Sequence, residues 1–247
     1  MKRAWLRWTT GIISRLKAEN RAYRTKLKSL ESLVSVRTEM FRQALAERER
    51  CYDVILEALG DALGLRDAEI EIHSRRVTAF TIAIARAMGL PQDRVRVFAR
   101  GAFLHDVGMI ALPDAILRKP KRLSPEEQAI MQQHPLLGYR ILRKNRFLQE
   151  TADVVYSHQE CFDGSGYPRG LKGEQIPLGA RILAIADAFD VMTSDRPYRA
   201  AQSIPSGKRE IARQSGKQFD PEIVNVFLAL PEQIWRELRS EIEARPR

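Results

Sequence analysis

Near the start of the chain, apolar positions recur every seven residues. Ile13, Asn20, Leu27, Val34 and Phe41 form one row, and Leu16, Tyr23, Leu30, Arg37 and Ala44 follow each of them by three. That spacing is an a/d seam over five heptads, broken by one Asn at a. No Gly or Pro falls between Ile12 and Leu59, so the pattern predicts one long coiled-coil helix. Alone, such a helix leaves its stripe in water, whereas two copies side by side bury it. β-branched residues at a, Leu at d and a single Asn favour a parallel homodimer in register. Packing of the stripe on the chain's own domain is the alternative.

Gly60 and Gly64 are expected to loosen the end of this helix. Helical spacing then resumes from Asp67 to Met88, closed by Gly89 and Pro91. Ser124-Pro125-Glu126-Glu127 reads as a cap, an N1 proline and an N3 glutamate, and Asp220-Pro221-Glu222 repeats the cap and proline. Segments 179–194, 206–215 and 221–229 carry helical spacing, and no stretch alternates as a strand would. The fold class expected is all-α. One long irregular stretch, 159–179, holds five of the chain's 14 glycines together with Pro168 and Pro177. A loop of that length inside a helical domain is usually functional.

Composition narrows the classes. With 247 residues, 44% apolar and 29% charged, the chain can fill a core, which excludes global disorder. No apolar run approaches the roughly 18 residues of a membrane span, and the N-terminus lacks a secretory signal. Cys51 and Cys161 do not make a disulfide framework, so the compartment expected is the reducing cytoplasm. The net charge of +10 is local: residues 1–50 hold 13 Lys or Arg against 5 Asp or Glu, and the remainder 28 against 26. The main domain therefore gives no charge argument for a DNA or RNA partner. The basic helix suits an acidic signalling partner protein or a solvated face. Trp5, Trp8 and Ile12 beside Lys2, Arg3 and Arg7 make contact with an acidic membrane surface the rival to dimerisation.

The chemistry lies in four histidines, His73, His105, His134 and His158, with Asp106 directly after His105. Neutral imidazole with carboxylate suits a divalent transition metal. Glu69 and His73 are four apart and share a helix face. Asp187 interrupts the apolar run Ile182-Leu183-Ala184-Ile185-Ala186, where a carboxylate needs a cation or a donor. A salt bridge to an Arg is the bland alternative.

Leu104-His105-Asp106-Val107-Gly108, the distant His73 and Asp187, and Asp163-Gly164-Ser165-Gly166-Tyr167-Pro168 together resemble the HD-GYP domain, a bacterial branch of the HD phosphohydrolase superfamily. The resemblance runs from about Arg48 to about Leu230. It includes Arg118-Lys119-Pro120, His134-Pro135, the run from Thr193 to Arg199 and the run from Gly216 to Pro221. It implies an HD-type helical bundle over residues 61–247, preceded by the signalling helix at 1–60. It implies hydrolysis of cyclic di-GMP to linear pGpG or GMP, with two divalent ions, iron or manganese foremost, and a third in some members. Carried onto this chain, His73, His105, Asp106 and Asp187 would hold one ion. Asp106, His134 and His158 would hold the other, with Asp106 bridging, and Glu69 matches the ligand of a third. His105 and Asp106 would then be catalytic. Tyr167 would shape the substrate site, and Asp190, Arg196 and Arg199 would lie near the bound dinucleotide.

Two positions depart from the family pattern. Met109 stands where Lys usually follows the HD motif, and Gln159 where a second histidine usually follows His158. Methionine offers no charge toward phosphate, and Gln is a poorer ligand than imidazole for a transition metal. A regulator that binds cyclic di-GMP or a protein without turnover is therefore the second reading. An HD hydrolase for another nucleotide is the third, and the Gly-Tyr-Pro loop argues against it.

Overall fold

In a computed structural model, residues 2–64, 68–119, 121–195 and 200–244 are described, Glu69 by its backbone alone. Arg196 and Arg199 lie outside the described residues. The chain divides into two compact units, Met1–Ile55 and Leu56–Arg247. Among the described residues there is no strand, only one bridge between Ser215 and Phe219. None of the described helices is long and apolar enough to cross a membrane. Cys51 and Cys161 are free thiols.

The first unit is a single helix. Helix α1 (Lys2–Gly64) carries the heptad stripe, and that stripe stays open, with Ile13 51% and Phe41 67% exposed. The helix runs unbroken through Gly60, where loosening was expected, and ends at Gly64. Gly60 is where the ring of Phe103 seats: a Cβ there would lie 2.3 Å from the ring carbon. That contact offsets the roughly 1 kcal/mol a helical glycine costs. Leu56, four residues earlier, is buried with Leu104, Leu142 and Leu148, so the last turns of α1 belong to the second unit.

The second unit is a helical bundle. Its helices are α2 (Ala68–Ala87), α3 (Gln92–Leu104), α4 (Asp114–Leu117), α5 (Pro125–Met131), α6 (His134–Leu142), α7 (Gln149–Ser157), α8 (Leu178–Thr193), α9 (Ile204–Arg213), α10 (Pro221–Ala229) and α11 (Glu232–Glu243). Gly89, at positive φ, ends α2, and Pro91 opens the next helix. Ser124 makes a full capping box with Glu127, and Asp220 accepts from the Glu222 amide. These are the local signals of the sequence acting as caps.

Helices α2 and α8 run through the centre. Val77, Phe80 and Ile84 of α2 and Ile182, Ile185 and Phe189 of α8 have almost no exposed surface. Trp235 of α11 closes this core edge-on against Phe80 and Phe189, with ring centroids 5.4 and 5.3 Å apart. A second cluster, Leu104, Val107, Ala152 and Val155, joins α3 to α7. Every histidine sits on or directly after one of these packed helices, Asp187 and Asp190 lie on α8, and Asp106 follows α3 by two residues.

Candidate metal centre

Six side chains that the sequence singled out converge. The ligand atoms of His73, His105 and Asp187 lie within 4.8 Å of one another, and so do those of Asp106, His134 and His158. One Asp106 oxygen is 3.2 Å from His105 Nε2 and the other 3.6 Å from His134 Nε2. The carboxylate thus faces both groups, as a bridging ligand must.

Local backbone explains the convergence. His105 is the residue after α3, and Asp106 opens a 3-10 turn, Val107–Ala111. That turn lies against the start of α6. A Cβ on Gly108 would fall 2.0 Å from the His134 carbonyl oxygen and 2.6 Å from the Gly138 amide. Glycine at 108 therefore brings the Asp106 turn up to His134. Gly166 does the same for the loop: a Cβ there would meet the Cys161 amide at 2.2 Å. Glu160, buried, accepts from the amides of Arg169 at 2.8 Å and Leu171 at 3.0 Å. These contacts fold the 159–177 loop back onto the end of α7 and set Tyr167 beside the ligands.

The imidazole tautomers follow from their partners. Nδ1 of His105, His134 and His158 lies 2.7–2.8 Å from the carbonyls of Ala102, Met131 and Val155. A carbonyl only accepts, so each Nδ1 carries hydrogen, and each Nε2 offers a lone pair when its ring is neutral. His134 Nε2 and His158 Nε2 are 3.0 Å apart. Two nitrogens at that distance need a proton on one of them or a metal cation beside them. Three imidazoles and shared carboxylates are the donor set of a divalent transition metal, so the residues fit such an ion.

His73 differs. Its Nε2 is 3.2 Å from Asp187 and its Nδ1 2.8 Å from Asp190. Burial lowers its affinity for a proton, but the two carboxylates win and push it up to about 10. His105 is raised likewise, burial being outweighed by the charge of Asp106. Burial and then the charges of His134 and His105 take His158 down to about 3, leaving it neutral. Asp106 resists burial through the charge of His105 and stays far below the usual carboxylate range.

Asp187 and Tyr167 share with His73 and Asp106 the wall of a cavity of about 340 Å³, and Met109 and Gln159 line it too. Asp190, expected near substrate, has no exposed surface, and its oxygens are taken by Arg76 at 2.6 and 2.9 Å and by His73. An i,i+3 step along α8 puts it behind His73 instead of in the cavity. Arg76 was not anticipated; its signal was a charge three residues after His73 on an otherwise buried face. Glu69 lies one helical turn before His73, and its side chain is outside the described part.

The family model described as HD domain matches residues 57–223. A cyclic di-GMP phosphodiesterase of Thermotoga maritima is 40% identical over 87% of this chain and 59% of its own. A cyclic di-GMP phosphodiesterase response regulator of Xanthomonas campestris pv. campestris is 41% identical over 74% and 48%. The chain thus spans about half the length of these curated relatives. Among solved structures, a cyclic GMP-AMP specific phosphodiesterase of V. cholerae matches with TM-score 0.55 at 22% identity, over 71% of this chain and 49% of that one. That likeness shows the all-α fold.

Proposed function

The chain belongs to the HD domain family, in its HD-GYP branch, and from this we propose that it is a metal-dependent phosphodiesterase that hydrolyses cyclic di-GMP to pGpG, GMP or both. The carrying observation is the Asp106 carboxylate, set between two histidine groups whose candidate ligand atoms lie within 4.8 Å of one another in each group. The relatives at 40 and 41% identity are named as cyclic di-GMP phosphodiesterases, which supports this substrate. His73, His105, Asp106 and Asp187 would hold one divalent ion and Asp106, His134 and His158 the other, iron or manganese being the ions proposed. Such ions, when bound, supply Lewis-acid stabilisation of phosphate charge and acidify water at neutral pH.

The chain's own residues do the rest. Held by packed helices and the Asp106 turn, the candidate ligands would receive the ions with little reorganisation. Tyr167, pushed up to about 12 by burial and the charges of Asp106 and Asp187, keeps its proton. It can therefore donate a hydrogen bond to a phosphate oxygen in the cavity. Arg196 and Arg199 are proposed to hold the dinucleotide by two-point contacts to phosphate or guanine. We place the protein in the cytoplasm, as a homodimer through the helix at 1–60, with the domain at 61–247 carrying activity.

Met109 favours a second reading, because it puts a thioether on the cavity wall where a cation would meet phosphate. The test is hydrolysis of cyclic di-GMP by protein purified without oxygen or chelator and loaded with Mn²⁺ or Fe²⁺. Appearance of pGpG or GMP supports the enzyme. Loaded protein that binds cyclic di-GMP and leaves it intact supports the regulator. Failure to take up metal overturns the enzyme.

A further inference from the structure

Asp190 has a second cationic neighbour, and it comes from beyond the segment that the HD domain model covers, which ends at residue 223. Arg239 of α11 places Nη2 3.7 Å from Asp190 Oδ1. The same guanidinium donates to the Thr193 carbonyl and, at 2.8 Å, to the Thr193 hydroxyl. Thr193 is the last residue of α8, where carbonyls lack helical partners and a cation is favoured. Trp235, one turn earlier on α11, is buried among Phe80, Phe189 and Phe227. The anchor therefore fixes where Arg239 reaches.

We propose that Arg239 is a positioning residue for the metal centre: it holds the last turn of α8 so that Asp187 and Asp190 bracket His73. The inference rests on the proposed metal reading of His73, His105 and Asp187. Asp190 orients His73 Nδ1 at 2.8 Å while Asp187 sits 3.2 Å from Nε2. Both carboxylates are on α8, Asp190 in its last turn and Asp187 in the turn before, so a shift of the helix end moves Asp190 directly and Asp187 through the helix. Arg76 grips Asp190 from α2, and Arg239 grips the same turn from α11. Asp190 thereby joins His73 to the C-terminal helix.

The sign of the effect separates positioning from plain charge. Removing a cation near a dication site should tighten metal binding if Arg239 acts only through its field. Removing a support of an oriented ligand should weaken binding, by about tenfold or more. The experiment is Mn²⁺ titration of the full chain, wild type against Arg239→Met, with thermal melting of the metal-free proteins. Arg236→Gln, an exposed change on the same helix at a residue that pairs with Glu232, controls for net charge. The expected result is about tenfold weaker binding at the His73 group in Arg239→Met, and unaltered or tighter binding in Arg236→Gln. Excess Mn²⁺ should restore Arg239→Met to wild-type turnover. Arg239→Lys, which keeps the charge without the planar fork, should fall between, and it carries the test if Arg239→Met does not fold. Unchanged or tighter binding in Arg239→Met, with or without a lower melting temperature, overturns the proposal alone. Wild-type protein that takes up no Mn²⁺ overturns the metal reading and this proposal with it.

Discussion

Gly108→Ala changes one methyl group and tests how the centre is assembled. The added Cβ would lie 2.0 Å from the His134 carbonyl oxygen, 2.6 Å from the Gly138 amide and 2.9 Å from the His134 carbonyl carbon. All three are backbone atoms, so no side-chain rotation relieves them. Restoring an ordinary contact of 3.4 Å requires α6 to retreat by about 1.4 Å from the Asp106 turn, to judge by packing distances in close-packed interiors. His134 sits at the first position of α6 and moves with it, away from an Asp106 oxygen already 3.6 Å off. Overpacking of this kind costs about 1–3 kcal/mol. For a domain of this size each kcal/mol lowers the melting temperature by about 2–4 °C. The metal-free variant should therefore melt a few degrees lower, and calorimetry reads that directly. In a Mn²⁺ titration the Asp106, His134 and His158 group should weaken by about tenfold or more, as displaced metal ligation does, while the His73 group changes less. A variant with wild-type melting and two wild-type affinities would show that the close approach at Gly108 does not hold His134 in place.

Asp106→Asn should abolish or nearly abolish uptake of both ions, since one carboxylate faces both groups; elemental analysis showing one ion retained at full affinity would assign Asp106 to a single site. Met109→Lys should raise turnover or affinity for cyclic di-GMP about tenfold or more, the equivalent of one charge-assisted hydrogen bond of roughly 1.5–3 kcal/mol, and identical kinetics would remove position 109 from the phosphate site. His73, raised to about 10, keeps a proton at neutral pH in the metal-free fold. Its pairing with Asp187 and Asp190 stabilises that fold below the ordinary histidine value of 6.5 and is lost as pH rises through about 10. A cation at Nε2 must displace this proton, so metal binding should strengthen with rising pH and release protons. Calorimetric titration in buffers of different ionisation enthalpy measures the release, and none would contradict the His73 assignment. Light scattering should give a dimer for the full chain and a monomer for a chain starting at Leu56, with full-length monomer counting against the coiled coil.

The parts legible in the sequence are those in which a residue acts through its own type. The heptad stripe, the cap at Ser124 and the cap at Asp220 are local, and the helices they mark are present. Metal ligation is restricted to few residue types, so His73, His105, Asp106, His134, His158 and Asp187 could be named without coordinates. What was not legible depends on residues far apart in the chain. Gly60 looked like a helix breaker because Phe103, its packing partner, is 43 positions away. Asp190 was placed near substrate by the resemblance alone, and its neighbours Arg76 and His73 are 114 and 117 positions away in the chain. Glu160 and Arg239 act through backbone amides and a helix end that no spacing rule connects to them.

The supports of the four histidines show why Asp190 had to be where it is. Met131, His105 and His158 stand at the ends of α5, α3 and α7, and each imidazole bonds the carbonyl three residues back. The final carbonyls of a helix have no intrahelical donor, so they orient His105, His134 and His158 without any added side chain. Their partial negative charge also favours cations beside them. His73 is in the interior of α2, where the carbonyls are already bonded along the helix. Its Nδ1 needs an acceptor from elsewhere, and α8 provides a carboxylate. A carboxylate with no exposed surface needs cations of its own, which are Arg76 and Arg239. The one mid-helix histidine thus accounts for a buried Asp, two arginines and the docking of a helix that carries no candidate ligand itself.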